Sequence, residues 1–414
     1  MQPAANSTPV LPDRAPAKAW DGVGGLRGLG SRLAAQLLAW RDAKVSSEAF
    51  QRWALGFALT RPFARRYAVR LFDLSAGFVY SQVLLAAVRL RIFPMLREGP
   101  LSLAQIAQRT QLGEDAAERL LEACTALQLT EHRSAFRHAR TDYGLGMLGA
   151  ALLANPGALA MIEHHARFYQ DLADPLALLR ERDPGREMAR YWAYAASPEP
   201  GRLGSDQVGE YSQLMAASQP MVAHEILTAV DLSSARVLLD LGGGEGVFLT
   251  EAAARYPQLG LQLMDLPAVA ERAAARFKER GLAERAQCIP GSFLSDPIPS
   301  GADLVSLIRV AHDHDDAVVM QLFARLHKAM APGAQLLLAE PMADTRGAMP
   351  VADAYFAMYL WAMGSGRSRR PAELIAMLEQ AGFVQVRLLP SLMPVQVRII
   401  LAQRASRSYP TDGP

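Results

Sequence analysis

The feature that most constrains the fold of this chain is an apolar segment that leads directly into a glycine-rich turn. Residues 236–241 have the composition of a buried strand and carry Asp240 near its end. Glycines follow at alternate positions, Gly242, Gly244 and Gly246, and a helical spacing begins two residues later. Alternate glycines allow the backbone to turn tightly and to approach a ligand closely. The segment therefore predicts a strand, a ligand-binding turn and a helix.

The acids around this turn indicate which cofactor it binds. A dinucleotide fingerprint has the order G-x-G-x-x-G, whereas this turn is D-x-G-x-G-x-G with Glu245 between two glycines. Asp240 and Glu245 would repel a pyrophosphate, but they suit an amino group and a sulfonium charge. Asp265 lies at the end of the next predicted strand, where an acid can accept both hydroxyls of a ribose. A lone glycine turn is usually a simple loop, but these features together favour S-adenosylmethionine over NAD.

From about residue 235 onward, apolar strand-like segments alternate with amphipathic helical ones. This alternation is typical of a doubly wound α/β sheet with mostly parallel strands. Seven strands are predicted, at residues 236–241, 260–264, 286–289, 304–308, 335–339, 384–389 and 395–402.

The preceding part of the chain has helical spacing and the layout of a winged helix. Residues 99–107 open a short helix with Ser102 as the N-cap, a second helix is predicted at 114–127, and 129–140 form a small β-wing. The second helix carries four acidic residues, Glu114, Asp115, Glu118 and Glu122, a poor surface for DNA phosphates. We therefore interpret this part as a structural module and predict no nucleic-acid partner.

The basic residues are concentrated at the N-terminus. Residues 1–70 have a net charge of +7 within a chain of net charge +2. They begin with a Pro-, Gly- and Ala-rich lead of about 30 residues, and then Phe50, Trp53, Ala54 and Phe57 form an apolar stripe at helical spacing. Residues 31–70 therefore suit either peripheral contact with an anionic membrane or packing against a partner subunit.

Composition excludes several other classes of protein. Half of the residues are hydrophobic, which excludes a mainly disordered chain, and two cysteines cannot build a disulfide framework or a Cys-based metal site. Residues 312–316 are His-Asp-His-Asp-Asp, but consecutive residues at a strand end point to alternate sides, so no metal site is predicted. The longest apolar run, 145–154, is too short to span a bilayer, and no secretory signal is visible. We expect a soluble or peripheral cytoplasmic protein.

Three segments identify a family. Residues 240–246, the run Asp-Leu-Pro-Ala-Val at 265–269 and the run Arg-Val-Ala-His-Asp-His-Asp-Asp at 309–316 resemble motifs of the class I small-molecule O-methyltransferases of the caffeate and acetylserotonin type. The resemblance covers residues 71–403. It implies a homodimer whose helical, winged-helix-like dimerisation domain, 71–200, precedes a Rossmann-like S-adenosylmethionine-binding domain, 201–403. Residues 1–70 are then an N-terminal extension and 404–414 a tail.

The resemblance also implies roles for single residues. His312 corresponds to the general base that takes the proton from the acceptor hydroxyl, and Glu340 to an acid that orients it. A second orienting acid of the family is missing from residues 366–371, which read Gly-Arg-Ser-Arg-Arg-Pro, and Ser292 replaces an aspartate that binds the adenine amine. The residues implied in cofactor binding are Asp240, Gly242, Gly244, Gly246, Asp265, Leu266, Ser292, Phe293 and Arg309.

Further segments indicate which class of acceptor substrate the family resemblance implies. Residues 71–82, 309–316, 355–359 and 363–367 resemble the carotenoid branch of the family, the hydroxyneurosporene (demethylspheroidene) O-methyltransferases of purple photosynthetic bacteria. This likeness implies methylation of the tertiary 1-hydroxyl of an acyclic carotenoid, and a location at the inner or photosynthetic membrane. Two alternatives stay open: another small-molecule acceptor, such as a polyketide, phenol or bacteriochlorophyll precursor, and a non-catalytic winged-helix regulator that senses S-adenosylmethionine.

Overall fold

The computed structural model describes residues 24–133, 142–197 and 200–406. Most of the predicted N-terminal lead, the tip of the wing, part of the proline-rich loop near residue 200 and most of the C-terminal tail lie outside these residues. The chain divides into two compact units, Met1–Ser81 and Gln82–Pro414, and the division falls inside one long helix. The boundaries proposed from the sequence at residues 70, 200 and 403 stay predictions.

The described residues of the first unit form helices α1 (Gly24–Val45), α2 (Glu48–Gly56) and the first part of α3 (Arg61–Arg89). In the predicted stripe, Ala54 is buried, Phe50 is half-buried, and Trp53 and Phe57 are about half exposed. Helix α3 is long and apolar enough to cross a membrane. This property was not predicted from the longest uninterrupted apolar run, residues 145–154, which lies elsewhere in the chain. Core helices of soluble proteins pass the same test, so α3 by itself does not place the chain in a bilayer.

The helical part of the second unit contains the predicted winged-helix layout. Ser102 caps its helix with a reciprocal pair of hydrogen bonds: its hydroxyl accepts from the N–H of Gln105, and its own N–H donates to the Gln105 side chain. The second helix begins at Glu114 as predicted, and an antiparallel pair of strands follows. The elements are α4 (Ile92–Arg97), α5 (Leu103–Thr110), α6 (Glu114–Ala126), β1 (Thr130–Arg133), β2 (Asp142–Leu145), α7 (Met147–Leu153), α8 (Pro156–Asp171), α9 (Pro175–Arg180), α10 (Glu187–Tyr191) and α11 (Ala193–Ala196).

The rest of the chain forms an α/β domain around a seven-stranded sheet. Its strands are β3 (Val237–Leu241), β4 (Gly260–Asp265), β5 (Ala286–Pro290), β6 (Leu304–Ile308), β7 (Gln335–Glu340), β8 (Phe383–Leu389) and β9 (Arg398–Arg404). Its helices are α12 (Ser205–Ala229), α13 (Val247–Arg255), α14 (Pro267–Glu279), α15 (Asp316–Ala329), α16 (Phe356–Met363) and α17 (Pro371–Gln380). The strand order is β5-β4-β3-β6-β7-β9-β8, with the first five parallel and the last two antiparallel to their neighbours. The predicted doubly wound, mostly parallel sheet is confirmed.

Apolar side chains cover both faces of the sheet. Successive residues of a strand point to opposite faces, and on β3 Leu238 belongs to one core cluster and Leu239 to the other. All five residues of β6 are buried, as expected for a parallel strand between two layers of helices. This double burial is why the strands read as continuous apolar runs in the sequence.

The strand order determines where a ligand can bind. The chain runs outward from β3 to β4 and β5, and then returns to the other side of β3 to form β6. A crevice opens at such a switch point, beyond the carboxyl ends of the strands. The glycine turn follows β3, and the segment with His312 follows β6, so both lie at this crevice.

Candidate active site

The glycine turn has a backbone that non-glycine residues rarely adopt. Gly242, Gly244 and Gly246 have φ values of +68°, +57° and +74°. A Cβ on Gly246 would lie 2.4 Å from the ring of Phe277, and one on Gly242 would lie 2.8 Å from the side chain of Val310. Two of the glycines are therefore required by close packing as well as by conformation.

Asp240 is a buried carboxyl group that lines a pocket at the crevice. One of its oxygens, Oδ1, accepts a hydrogen bond of 2.6 Å from the hydroxyl of Ser306. Burial raises the pKa of Asp240 to about 7, with a further contribution from nearby Asp265 and an opposing one from Ser306. A buried carboxylate is stabilised by a cation, so this side chain fits a ligand that brings a positively charged amino group.

Asp265, at the end of β4, supports the turn. Its Oδ2 accepts from the N–H of Gly244 at 2.8 Å and its Oδ1 from the N–H of Leu266 at 2.7 Å. Burial raises the pKa of Asp265 to about 6 against the effect of these two hydrogen bonds. The carboxyl group lines the same pocket as Asp240 and can accept further hydrogen bonds from a ligand.

Glu245 does not act as the free acid that the sequence suggests. Its carboxylate lies 2.6 Å from a guanidinium nitrogen of Arg272 and 3.2 Å from one of Arg276, both on α14. These arginines compensate its charge, so the acidity of the pocket comes from Asp240 and Asp265 instead.

The pocket gathers most of the residues implied in cofactor binding. Those that line it are Asp240, Gly242, Gly244, Asp265, Leu266, Ser292, Phe293 and Arg309. Gly246 does not line it, because it lies at the N-terminus of α13 against Phe277. His312 and Glu340 lie behind the wall, to which Asp313 contributes. The structure adds further lining residues that no sequence motif revealed, among them Tyr194, Tyr211, Met215 and Gln219.

Ser292 and Arg309 have local partners as well as a place in the pocket wall. The N–H of Ser292 donates to Asp296 and its hydroxyl accepts from the N–H of Leu294. Arg309, with φ of +55°, donates to Ser218 at 2.9 Å and to Gln219 at 2.5 Å, both on α12. Burial lowers the pKa of Arg309 to about 10, so it is still a cation at neutral pH. Its guanidinium therefore holds α12 in place beside the pocket, to which this helix contributes lining residues.

His312 lies between two carboxylates. Oε2 of Glu340, the last residue of β7, accepts from the backbone N–H of His312 at 3.0 Å and lies 3.4 Å from its Nδ1. Oδ1 of Asp313 lies 3.2 Å from Nε2. Burial works to lower the pKa of His312, but Asp313 and Glu340 together outweigh it and raise that pKa above the usual range. The imidazole is therefore a strengthened base with a carboxylate oxygen near each nitrogen, although Nδ1 makes no hydrogen bond within the described residues.

Residues 366–371, which lack the family's second orienting acid, hold the loop that carries His312 by close packing and by hydrogen bonds to its backbone carbonyls. Gly366 packs so closely that a Cβ would lie 2.1 Å from the carbonyl oxygen of His312, and the N–H of Arg367 donates to that oxygen. Arg369 is fully buried and donates to the carbonyls of Ala311 and His314. The second carboxylate at His312 comes from its own neighbour, Asp313.

Helix α16 carries aromatic and methionine side chains, and some of them pack against the helical part of the chain. Tyr359 is buried; its hydroxyl accepts from the indole N–H of Trp192 at 2.9 Å and lies 2.8 Å from Nε2 of His164. Phe356, on the same helix, lies with its ring centroid 6.1 Å from that of His312. Helix α16 thus contributes to a core through Tyr359 and contacts the imidazole through Phe356.

Comparison with known proteins identifies the family. A profile of O-methyltransferase domains matches residues 185–384, and one of O-methyltransferase dimerisation domains matches residues 72–155. The demethylspheroidene O-methyltransferase of Rhodobacter capsulatus is 43% identical over 362 residues, which are 86% of this chain and 86% of that protein. This chain belongs to the O-methyltransferase family. The demethylspheroidene O-methyltransferase of Cereibacter sphaeroides is 40% identical over 94% of this chain and 97% of its own.

Solved structures agree with this assignment. Human N-acetylserotonin methyltransferase in complex with S-adenosylmethionine has a TM-score of 0.68 and 26% identity, and the match covers 82% of this chain and 98% of the human one. The mitomycin 7-O-methyltransferase has a TM-score of 0.67 at 26% identity, with 83% of this chain and 100% of that chain covered.

Family membership decides several predictions. The methyltransferase is an enzyme that uses S-adenosylmethionine, as predicted, and the hypothesis of a non-catalytic regulator is set aside. The dimerisation domain supports a homodimer, and the catalytic domain has the fold of a soluble enzyme domain. The buried, pocket-lining Asp240 and the glycine turn fit a cofactor that carries an amino group.

Proposed function

We propose that this methyltransferase methylates the tertiary 1-hydroxyl of an acyclic carotenoid of the hydroxyneurosporene or demethylspheroidene type, with His312 as the general base. The observation that carries the choice of acceptor is the identity of 43% and 40%, over most of the chain, with two demethylspheroidene O-methyltransferases. The observation that supports the base is the contact of both nitrogens of His312 with carboxylates beside the pocket.

The acceptor explains why the base must be strong. A tertiary aliphatic alcohol is much less acidic than a phenol, so its proton has to be removed as the new bond forms. Neutral His312 accepts this proton at Nε2, and the carboxylates of Glu340 and Asp313 stabilise the resulting imidazolium. General-base assistance of this kind contributes about 100- to 10,000-fold to the rate.

The cofactor is held by residues around the glycine turn. S-adenosylmethionine, when bound, supplies a methyl group activated by the sulfonium charge. Asp240 would hold its amino group, Asp265 would accept hydrogen bonds from its ribose, and Ser292 and Phe293 would contact its adenine. Arg309 contributes indirectly, because it fastens α12 over the pocket.

Labelled S-adenosylmethionine, incubated with the dimer and a 1-hydroxycarotenoid in detergent, tests the acceptor. We expect labelled methoxycarotenoid, and a panel of polyketide, phenol and bacteriochlorophyll precursors serves as the comparison. The panel includes a hydroxynaphthoate, because a 3-hydroxy-5-methyl-1-naphthoate 3-O-methyltransferase from Streptomyces sahachiroi is 31% identical over 77% of this chain and 90% of its own. Labelling of one of these compounds, with none of the carotenoid, would replace the proposed acceptor.

The role of His312 is tested by substitution. His312→Ala should lower kcat by about 100- to 10,000-fold while the affinity for S-adenosylhomocysteine stays within about twofold. His132→Ala is the control for the loss of a histidine side chain, because His132 lies in strand β1 of the wing, far from His312 in the sequence. Near-wild-type turnover of the His312 variant would remove the general base from the proposal.

We also propose that residues 31–70 bring the enzyme to an anionic membrane surface, at the inner or photosynthetic membrane, where a carotenoid acceptor resides. Large side chains are exposed in this segment, including Trp40 at 63%, Trp53 at 53% and Phe63 at 67%. Arg65 and Arg66, which follow Phe63 closely in the sequence, are also exposed. Aromatic groups and arginines together on helices are typical of interfacial binding.

Vesicle sedimentation tests this contact. Each basic residue near an anionic surface contributes about 1 kcal/mol, so Arg65→Gln/Arg66→Gln should lower the partition onto vesicles with anionic lipid by about 30-fold. Arg119→Gln/Arg387→Gln removes the same charge from exposed sites elsewhere and is the matched control. Equal binding of all three proteins would contradict the membrane proposal, and a dimer that dissociates only in the first variant would favour the partner-subunit alternative.

A further inference from the structure

Tyr194 makes a contact with the active site that neither a motif nor the family resemblance singled out. It lies on α11, and its hydroxyl donates a hydrogen bond of 2.7 Å to Oδ2 of Asp313. Its ring is part of the pocket wall and packs on Trp192 and Tyr211, with centroid distances of 5.9 Å and 5.2 Å. The residue therefore belongs to the pocket and to the surroundings of the base at once.

The contact places Tyr194 at one end of a row of polar groups that runs through Asp313 and His312 to Glu340. Oδ2 of Asp313 is taken by Tyr194, and Oδ1 lies 3.2 Å from Nε2 of His312. Glu340 faces the opposite nitrogen of the imidazole at 3.4 Å. Two further groups that influence His312 are Arg309, which opposes its protonation, and His314, whose own pKa burial lowers.

The hydroxyl has a definite effect on the carboxylate. A hydrogen bond to a carboxylate stabilises its charge and reduces its affinity for protons. Without the hydrogen bond from Tyr194, the negative charge of Asp313 would act more strongly on His312 and would hold a proton at Nε2. That nitrogen is the one that must be free to accept a proton from the acceptor.

We propose that Tyr194 is a positioning residue that, through Asp313, sets the orientation and the protonation of His312. The Tyr194 hydroxyl fixes one oxygen of the Asp313 carboxylate. The other oxygen is therefore directed at Nε2 of His312, but it binds a proton on that nitrogen less firmly. The consequence for turnover rests on the proposed role of His312 as the base, whereas the consequence for the titration of His312 does not.

Tyr194→Phe tests the proposal, because it removes the hydroxyl and retains the ring. We titrate His312 by NMR in the homodimer saturated with S-adenosylhomocysteine, with His312→Gln to assign its signal. The pKa of His312 should rise by about one unit, and the acid limb of kcat should move to higher pH by the same amount. Well below that limb kcat should fall about tenfold, while the affinity for S-adenosylhomocysteine stays within about twofold.

Tyr211→Phe is the matched control for the position of the acid limb. Its hydroxyl belongs to the same pocket but has no hydrogen-bond partner within the described residues. A loss that is merely structural would lower kcat at every pH and would weaken cofactor binding in both variants. If Tyr194→Phe leaves the His312 titration and the acid limb where they are in the wild type, the proposal is wrong.

A double-variant comparison tests whether the effect of Tyr194 runs through Asp313. Asp313→Asn removes the carboxylate, so the pKa of His312 should fall, and adding Tyr194→Phe to it should then change nothing further. A full additional shift in that double variant would overturn the route through Asp313. If His312 titrates as expected but turnover does not follow it, the proposed base fails while the positioning role stands.

Discussion

Replacement of Arg369 by methionine tests what holds the loop that carries His312. This side chain has no exposure to solvent, and its three hydrogen bonds end on one short stretch of chain. It donates to the carbonyl of Ala311 at 2.8 Å, to that of His314 at 2.7 Å and to the carboxylate of Asp316 at 2.9 Å. Methionine is of similar length and removes all three donors.

The expected loss of stability follows from which partners remain buried. A buried carbonyl without a donor costs about 1–3 kcal/mol. Asp316 is 53% exposed, so water replaces Arg369 there at little cost. We therefore expect the free energy of unfolding to fall by about 2–6 kcal/mol, from the carbonyls of Ala311 and His314.

Arg367→Met provides the matched control within the same segment. Arg367 also binds Asp316, at 2.9 Å, but its side chain is 41% exposed, so its ion pair is screened by solvent. We expect a loss of at most about 1 kcal/mol for this variant. Urea denaturation at one fixed dimer concentration measures both values, and kcat at saturating cofactor shows whether the loop has moved. Equal losses in the two variants would refute the view that burial, rather than charge, makes Arg369 important.

Three further outcomes are expected. Affinity for S-adenosylmethionine, measured by calorimetry, should fall by up to tenfold per pH unit below about pH 7, because the proposed partner of its ammonium group is the ionised form of Asp240. Asp240→Asn should flatten this pH dependence. A flat profile in the wild-type protein would exclude the pairing. Gly246→Ala should destabilise the fold by about 2–4 kcal/mol in urea, from the clash with Phe277 and the positive φ, and wild-type stability would show that the turn can relax. Tyr359→Phe leaves the indole N–H of Trp192 without its acceptor and should cost about 1–3 kcal/mol in thermal unfolding, whereas no change would indicate a replacement partner.

The fold was predictable where local pattern and burial agree. Parallel strands buried on both faces are apolar throughout, so central strands such as β6 and β7 could be placed from composition alone. Their ends were less certain: the last strand, expected from residue 395, begins at Arg398 because residues 393–397 form a hydrogen-bonded turn. Capping was also visible, since the Ser102 hydroxyl needs a partner only three residues away.

The candidate site was predictable only where it follows a strand. Asp240, Asp265 and Glu340 lie at the carboxyl ends of parallel strands, which meet at one edge of the sheet whatever else the chain does. Tyr194 and Tyr211 come from helices that pack over that edge, and nothing in their local sequence indicates the direction of packing.

The sequence by itself determined the succession of strands and helices along the chain, the glycine turn and the acid at the end of each neighbouring strand. These features depend on backbone conformation and on burial, which are encoded over a few consecutive residues. Only the tertiary structure decided how charge is distributed: Glu245 is compensated by two arginines, Asp313 supplies the second carboxylate at His312, and Arg369 is buried behind the loop. Pairing of side chains far apart in the chain depends on how helices pack against the sheet, and that packing is not written in any local pattern.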